Sequence, residues 1–125
     1  MIQSFKDLKV YQESYELAVL INRSILRLPN SEKYDLVDQM CRASKSIPAN
    51  IAEGYAKRLS EKEFKRYLLS ATGSCNEMFV HISFAKDLGF WKPEFCDDLL
   101  KRYDILGKQL TRLLQNWKSY PTSKV

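Results

Sequence analysis

The stretch S-I-P-A-N-I-A-E-G-Y, residues 46–55, has the apolar spacing of a buried helix but contains residues that helix interiors usually exclude. Pro48 cannot donate a backbone hydrogen bond to the carbonyl of Ser44, and a proline inside a helix costs about 3 kcal/mol. Gly54 is less favourable than alanine by about 1 kcal/mol. Because several residues that disfavour a helix occur together, the stretch indicates a structural or functional constraint. We expect a bend at Pro48 and the close approach of another helix at Gly54.

Outward from this stretch, apolar residues recur at steps of three and four, which is typical of amphipathic helices. Capping signals separate the helices: Ser4 is a candidate N-cap, Ser60 and Glu63 form a capping box, and Gly89 suits a left-handed C-terminal cap. The predicted helices run from Phe5 to Leu28, from just after Asn30 or Ser31 through Gly54, from Ser60 to Gly89, and from Pro93 to just before Pro121.

Short connections between long helices favour antiparallel neighbours. The sequence therefore predicts an all-α fold, an antiparallel up-and-down four-helix bundle. Residues 1–125 fit one domain, with residues 121–125 as a frayed tail. We expect Gly73, like Gly54, to mark a close helix approach.

Positive charge is unevenly distributed. The net charge is +5, and residues 101–125 alone carry six basic residues against Asp104. Concentrated positive charge favours nucleic acids as partners, although a solvated helix face is the alternative. Two groups are candidate phosphate contacts: Lys101, Arg102, Lys108 and Arg112 in the fourth helix, and Lys57, Arg58, Lys62, Lys65 and Arg66 after the second.

Polar residues form rows beside the apolar stripes of the second and third helices. If these helices pack antiparallel, the rows can face each other and exchange hydrogen bonds. Arg42 is then expected to pair with Glu53, Glu77 or a carboxylate of a neighbouring chain. A network that only fixes helix register is the alternative. The predicted network comprises Gln39, Arg42, Ser46, Asn50, Glu53, Gly54, Ser74 and Glu77.

The composition argues against an enzyme and against a metal or cofactor site. His81 is the single histidine, too few for a di-iron bundle site, and we expect it to be structural. Cys41, Cys75 and Cys96 lack metal-ligand spacing and are expected to be small buried hydrophobes. No apolar run is long enough to span a bilayer, so we expect a cytoplasmic protein.

Three segments resemble a known family: F-K-D-L-K-V-Y at residues 5–11, L-P-N-S-E-K-Y-D-L-V-D-Q-M-C-R-A-S-K-S-I-P-A-N-I-A-E-G-Y at residues 28–55, and F-K-R-Y-L-L-S-A-T-G-S-C-N-E at residues 64–77. They closely resemble the bacterial four-helix-bundle proteins encoded by intervening sequences in large-subunit ribosomal RNA genes. That family is similar to the accessory protein of diversity-generating retroelements, a basic homopentameric barrel that works with a reverse transcriptase and RNA.

The resemblance implies a homo-oligomer, most simply a pentamer, whose basic surface binds structured RNA in preference to DNA. It implies structural or interface roles, not catalysis, for Glu32 and the polar-network residues. The alternative function is a scaffold that recruits a protein such as a reverse transcriptase. Phe90, Trp91 and Phe95 are its candidate docking patch, unless they form a satellite core under the third loop.

Overall fold

Four α-helices dominate residues 2–118, the part of the chain that the computed structural model describes, and this part contains no strand. The predicted all-α four-helix fold is confirmed. The predicted tail at residues 121–125 lies outside the described residues. The helices are α1, Lys9–Ser24; α2, Asp38–Ala56; α3, Glu61–Asp87; and α4, Pro93–Asn116.

The first helix is shorter than predicted at both ends. Phe5–Asp7 and Ile25–Arg27 are 3-10 turns. Leu8 separates the first turn from α1 because its backbone is extended, with φ −72° and ψ 127°. Ser4 caps the first turn as predicted, and its side-chain oxygen accepts a hydrogen bond from the Lys6 backbone N–H. Apolar spacing alone did not show these breaks.

The segment before α2 also departs from a regular α-helix. A 3-10 turn at Asn30–Glu32 leads into a π-helical turn at Lys33–Val37, and the α-helix proper begins at Asp38. Pro48 is buried inside α2, and the helix continues past it to Ala56. The bend expected at Pro48 stays a prediction.

The predicted ends of α3 are confirmed. The Ser60 side chain accepts a hydrogen bond from the Glu63 backbone N–H at 3.2 Å. The other half of the predicted capping box does not form, because the Glu63 carboxylate pairs with Arg66 at 3.1 Å and not with the Ser60 backbone N–H. Gly89, just past the helix, has φ +75°, the left-handed conformation that glycine adopts without a steric penalty.

Consecutive helices pack antiparallel, because contacts join the end of each helix to the start of the next. The Phe64 ring at the start of α3 contacts Tyr55 near the end of α2, with ring centroids 6.3 Å apart. The same ring lies 4.6 Å from that of Trp117, which follows α4. Asn22 near the end of α1 donates a hydrogen bond to Ser44 of α2 at 3.0 Å. Helix α4 returns beside α1 and closes the bundle.

The third loop is part of the core. Trp91 is only 6% exposed, and Phe90 and Phe95 are half-buried against the core. The Trp91 and Phe95 rings contact each other edge to face at 5.3 Å. The docking patch predicted for these three residues is therefore wrong, and the satellite-core alternative is confirmed. Burial of such large apolar side chains stabilises the fold by about 1.5 to 3 kcal/mol each.

Helices α2 and α3 approach most tightly at Gly54. A Cβ atom there would lie 2.6 Å from the Cβ of Tyr67 and 3.0 Å from a ring carbon of Phe64. The close approach predicted at Gly54 is confirmed. The same prediction for Gly73 is wrong, because a Cβ there would meet nothing within 4 Å.

We expect Gly54→Ala to destabilise the protein by about 2 kcal/mol, because the new methyl group overlaps Tyr67 and forces the two helices apart. Urea unfolding followed by circular dichroism measures this change in the free energy of unfolding. Gly73→Ala is the matched control and should stabilise α3 by about 0.5 to 1 kcal/mol. Equal stability of Gly54→Ala and the wild type would contradict the packing described here.

Candidate nucleic-acid interface

Antiparallel packing gathers the basic clusters of the sequence at one end of the bundle. This end comprises the start of α1, the end of α2, the start of α3 and the end of α4. The contact between Phe64 and Trp117 joins α3 to the end of α4 there. Nine basic residues lie at this end, against the four acidic residues Asp7, Glu53, Glu61 and Glu63. We call this surface the basic end: Lys6, Lys9, Lys57, Arg58, Lys62, Lys65, Arg66, Arg112 and Lys118.

The opposite end has the reverse balance of charge. Seven acidic residues and five basic residues lie there, so the charge of the bundle is polarised along its length. A polyanion is therefore attracted to one end and repelled from the other. The acidic residues are Glu32, Asp35, Asp38, Asp87, Glu94, Asp97 and Asp98, and the basic residues are Arg23, Arg27, Lys33, Lys86 and Lys92.

Tyr67 organises two cations of the basic end. The Lys57 ammonium donates a hydrogen bond to the Tyr67 hydroxyl at 2.8 Å, and this bond raises the pKa of Lys57. The Arg66 guanidinium lies 4.5 Å from the centroid of the same ring. Because Tyr67 packs against Gly54, its position, and with it that of both cations, depends on the contact between α2 and α3.

Two ion pairs of the basic end are partly exposed and lie within a single helix. Lys65 pairs with Glu61 at 2.8 Å, and Arg66 pairs with Glu63 at 3.1 Å. Ion pairs in contact with solvent contribute little stability, so a phosphate can compete for these cations.

Three exposed cations, Lys62, Arg112 and Lys118, have no ion pair within residues 2–118. Arg58 stacks on the Tyr55 ring at 4.2 Å and also donates a hydrogen bond to the Tyr55 carbonyl. The basic end therefore combines unpaired cations with cations held against tyrosine rings.

The cations predicted along α4 are not one surface. Arg102 is half-buried and bonds to Glu13 and Glu16 of α1, at 3.0 Å and 3.3 Å. Its charge is thus offset within the protein, and it fastens α4 to α1. Lys108 pairs with Asp104 of its own helix at 3.1 Å, and Lys101 is exposed near the middle of the bundle.

Arg112 stands between two grooves. One lies between α3 and α4 and the other between α1 and α4, and each has a volume of about 440 Å³. Lys9 and Asn116 line the second groove with Arg112. The spacing of residues in the sequence did not predict this cluster, although the antiparallel order of the helices implies it.

The predicted polar network is mostly local. Only the Ser46 hydroxyl reaches across, donating a hydrogen bond to Ser74 of α3 at 2.5 Å. Asn50 donates instead to the Ser46 backbone carbonyl at 2.8 Å, and Gln39 donates to Asp35 at 2.7 Å. Each of these partners lies four residues away in the sequence, a spacing that places side chains together on a helix.

The ion pairs predicted for Arg42 within the chain are wrong. Its guanidinium is 73% exposed and pairs with Asp38, one turn earlier in α2, at 3.4 Å. Glu53 is exposed, and Glu77 instead contacts His81. Arg42 lies at the outer edge of the predicted row, where solvent removes the need for a partner across the helix interface.

His81 is a buried residue of α3, and its structural role stays a prediction. It is 8% exposed, and its Nε2 lies 3.1 Å from the Glu77 carboxylate on the same helix. Within residues 2–118 no group of three or more histidine, cysteine, aspartate and glutamate residues could hold a metal ion. No helix in this part of the chain is both long and apolar enough to cross a membrane.

The cysteines are packing residues, with one partial exception. Cys75 and Cys96 are buried as predicted, whereas Cys41 is only half-buried. Cys75 donates a hydrogen bond to the Tyr103 carbonyl at 3.1 Å. Burial raises the pKa of the Cys75 thiol to about 12, so this thiol is not ionised at neutral pH and is a poor nucleophile.

Comparison with known proteins identifies the family. The model of the family described as 23S rRNA-intervening sequence protein matches residues 6–112, which include α1 to α3 and most of α4. No curated protein matches the chain. Because the family match covers most of the 125 residues and the four-helix fold agrees with it, the chain belongs to the 23S rRNA-intervening sequence protein family.

Proposed function

We propose that this protein is a non-catalytic, homo-oligomeric, cytoplasmic nucleic-acid-binding protein that binds structured RNA through its basic end. The observation that carries the proposal is the polarised charge of the bundle, with nine basic residues against four acidic residues at one end. Phosphate groups bound by these cations release condensed counterions, which supplies affinity without sequence recognition.

The cations of the basic end divide into two roles. Lys62 and Arg112, exposed and without an ion pair among the described residues, are the first phosphate contacts. Lys57 and Arg66 are held against Tyr67 and add further positive charge. Lys101 and Lys108 lie further along α4 and extend the surface, whereas Arg102 serves mainly to hold α4 against α1.

We favour structured RNA over DNA as the partner because the family is named after intervening sequences of 23S rRNA, which is itself a folded RNA. A folded RNA also presents phosphates from several directions, which suits cations contributed by four different helix ends. No base-reading module was found in the sequence, so we expect weak sequence specificity.

Self-association is supported by two apolar surfaces on different sides of the bundle. The first is a groove of about 460 Å³ between α1 and α2. Aromatic rings line it, with Tyr11 4.8 Å from Phe5 and 5.9 Å from Tyr15 between centroids. The second, which we call the α3 ridge, is an outward stripe formed by Leu69, Val80 and Phe84, all of them exposed.

We take the occupant of the α1–α2 groove to be the α3 ridge of a second copy of this chain. Both surfaces are apolar and exposed, and a monomer rarely leaves large apolar patches in water. Lys45 lines the groove, and Glu77 flanks the ridge, so their charges are complementary. Pairing of two different surfaces is head-to-tail and closes into a ring when the rotation permits. The ring that we propose is a pentamer.

A binding role is further supported by the setting of the single histidine. His81 is only 8% exposed, so it is badly placed to reach a substrate and act as a general base. The alternative function, a scaffold that recruits a protein such as a reverse transcriptase, has lost its candidate docking patch because Trp91 is buried.

The charge-reversal variant Lys62→Glu/Arg112→Glu tests the basic end. We expect its affinity for a structured RNA hairpin at low salt to fall roughly tenfold or more, because two phosphate contacts become repulsive. The slope of log affinity against log salt should become shallower by about two. Filter binding or fluorescence anisotropy over a range of salt concentrations measures both quantities.

The matched control is Lys33→Glu/Lys92→Glu, which makes the same change in net charge at the opposite end of the bundle. It should retain most of the wild-type affinity. Equal losses of RNA affinity in the two double variants would show that affinity depends on the net charge of the protein and not on the basic end. No binding by the wild-type protein at low salt would overturn the proposed function.

The variant Phe84→Glu tests the α3 ridge. Phe84 is 55% exposed. A carboxylate in its place removes about 2 kcal/mol or more of the free energy that apolar burial contributes to each subunit interface. We expect the variant to be monomeric by light scattering at concentrations at which the wild type is oligomeric. Leu26→Glu, a change at an exposed residue of the 3-10 turn after α1, should leave the mass unchanged. A wild-type mass for Phe84→Glu would exclude the ridge as the interface.

A further inference from the structure

The groove between α3 and α4 differs in character from the apolar groove between α1 and α2. Its volume of about 440 Å³ falls within the range of small-molecule sites, about 300 to 1,000 Å³. Besides the buried Tyr103, its lining includes two amides, two threonine hydroxyls, two cations, one carboxylate and one exposed aromatic ring. These side chains are Asn76, Gln115, Thr72, Thr111, Lys108, Arg112, Asp104 and Phe79.

The polar groups of this groove have hydrogen-bonding capacity left. Thr72 and Thr111 donate their hydroxyl protons to backbone carbonyls of their own helices, at 2.9 Å and 3.0 Å, and keep their oxygen lone pairs. The amides of Asn76 and Gln115 are exposed and have no hydrogen-bond partner within residues 2–118. An amide offers a donor and an acceptor side by side, the pattern that reads the edge of a nucleobase.

The two ends of the groove differ in chemistry. Phe79, 40% exposed, and Asp104 lie towards the middle of the bundle, and Arg112 and Gln115 lie towards the basic end. From Asp104 to Arg112 the helix rises by about 12 Å. One end thus offers a ring for stacking and a carboxylate that accepts from an exocyclic amine, and the other offers a cation for a phosphate.

We propose that the α3–α4 groove binds one unpaired nucleotide, with its base stacked on Phe79 and its phosphate held by Arg112. Asp104 pairs with Lys108 at 3.1 Å and keeps lone pairs free. It accepts a hydrogen bond from an exocyclic amine, which favours adenine, cytosine and guanine over uracil. The inference rests on the proposed function, because Arg112 also belongs to the basic end and connects the groove to the phosphate-binding surface. It deepens that function by naming a nucleotide outside a duplex as the ligand of this groove.

The test compares three RNA hairpins of equal length: a fully paired stem, a stem with one bulged adenosine, and a stem with one bulged uridine. The wild-type protein should bind the adenosine bulge roughly tenfold more tightly than the paired stem, since base stacking on an aromatic side chain is a large contribution per base. Phe79→Leu should abolish most of this preference and leave affinity for the paired stem unchanged. Asp104→Asn should reduce the preference for adenosine over uridine.

Tyr34→Leu is the matched control for loss of an exposed aromatic ring, because Tyr34 lies at the opposite end of the bundle. It should keep the wild-type preference. Equal affinity of the wild-type protein for bulged and paired hairpins would overturn the inference while the proposed function stands. Failure to bind any hairpin at low salt would remove the proposed function itself.

A titration with adenosine monophosphate alone distinguishes two sources of the nucleotide. Shifts of the Asn76 and Gln115 side-chain amide resonances would show that a free mononucleotide suffices. Shifts only with the bulged hairpin would show that the nucleotide must be part of a strand. Shifts with neither ligand would overturn the assignment of the groove.

Discussion

The close approach of α2 and α3 at Gly54 is the contact on which the basic end depends. Because Gly54 has no side chain, the Cβ of Tyr67 and the Phe64 ring pack directly against α2. Phe64 in turn contacts Trp117 and so fixes the end of α4 beside the start of α3. Tyr67 holds Lys57 by a hydrogen bond. The packing that Gly54 permits therefore positions cations that belong to three helices.

The apolar pattern of the sequence predicted the helices and most of the core correctly. Glycine and serine were equally informative where backbone geometry requires them, as with Gly89 at φ +75° and Ser60 at the N-cap of α3. Leu8 was missed because the extended conformation of one apolar residue does not interrupt an apolar rhythm. The spacing of apolar residues indicates which face of a helix is buried, but it does not indicate where the helix ends.

The side-chain network was predicted less well than the fold, and the reason is physical. Two polar rows on facing helices can bond across the interface or along their own helices, and the sequence does not distinguish the two. Arg42 and Gln39 use partners four residues away, at Asp38 and Asp35. Only the short Ser46 side chain reaches across to Ser74, and it also contacts the Ala43 carbonyl of its own helix. The candidate site was similarly hidden, since its cations belong to segments about 50 residues apart.

The basic end and the apolar sides of the bundle have complementary roles in the proposed function. Most cations of a single basic end are exposed to solvent and screened by salt, so one bundle alone would hold a polyanion weakly. The apolar groove and the α3 ridge lie along the sides of the bundle, so self-association leaves its ends open. In a ring whose symmetry axis is parallel to the helices, the basic ends of all subunits lie on the same face of the ring. Several weak sites on one face then act together on one RNA, because each bound subunit raises the effective concentration of the next. In the function that we propose, the polarised charge and the lateral apolar contact thus form two parts of one binding surface.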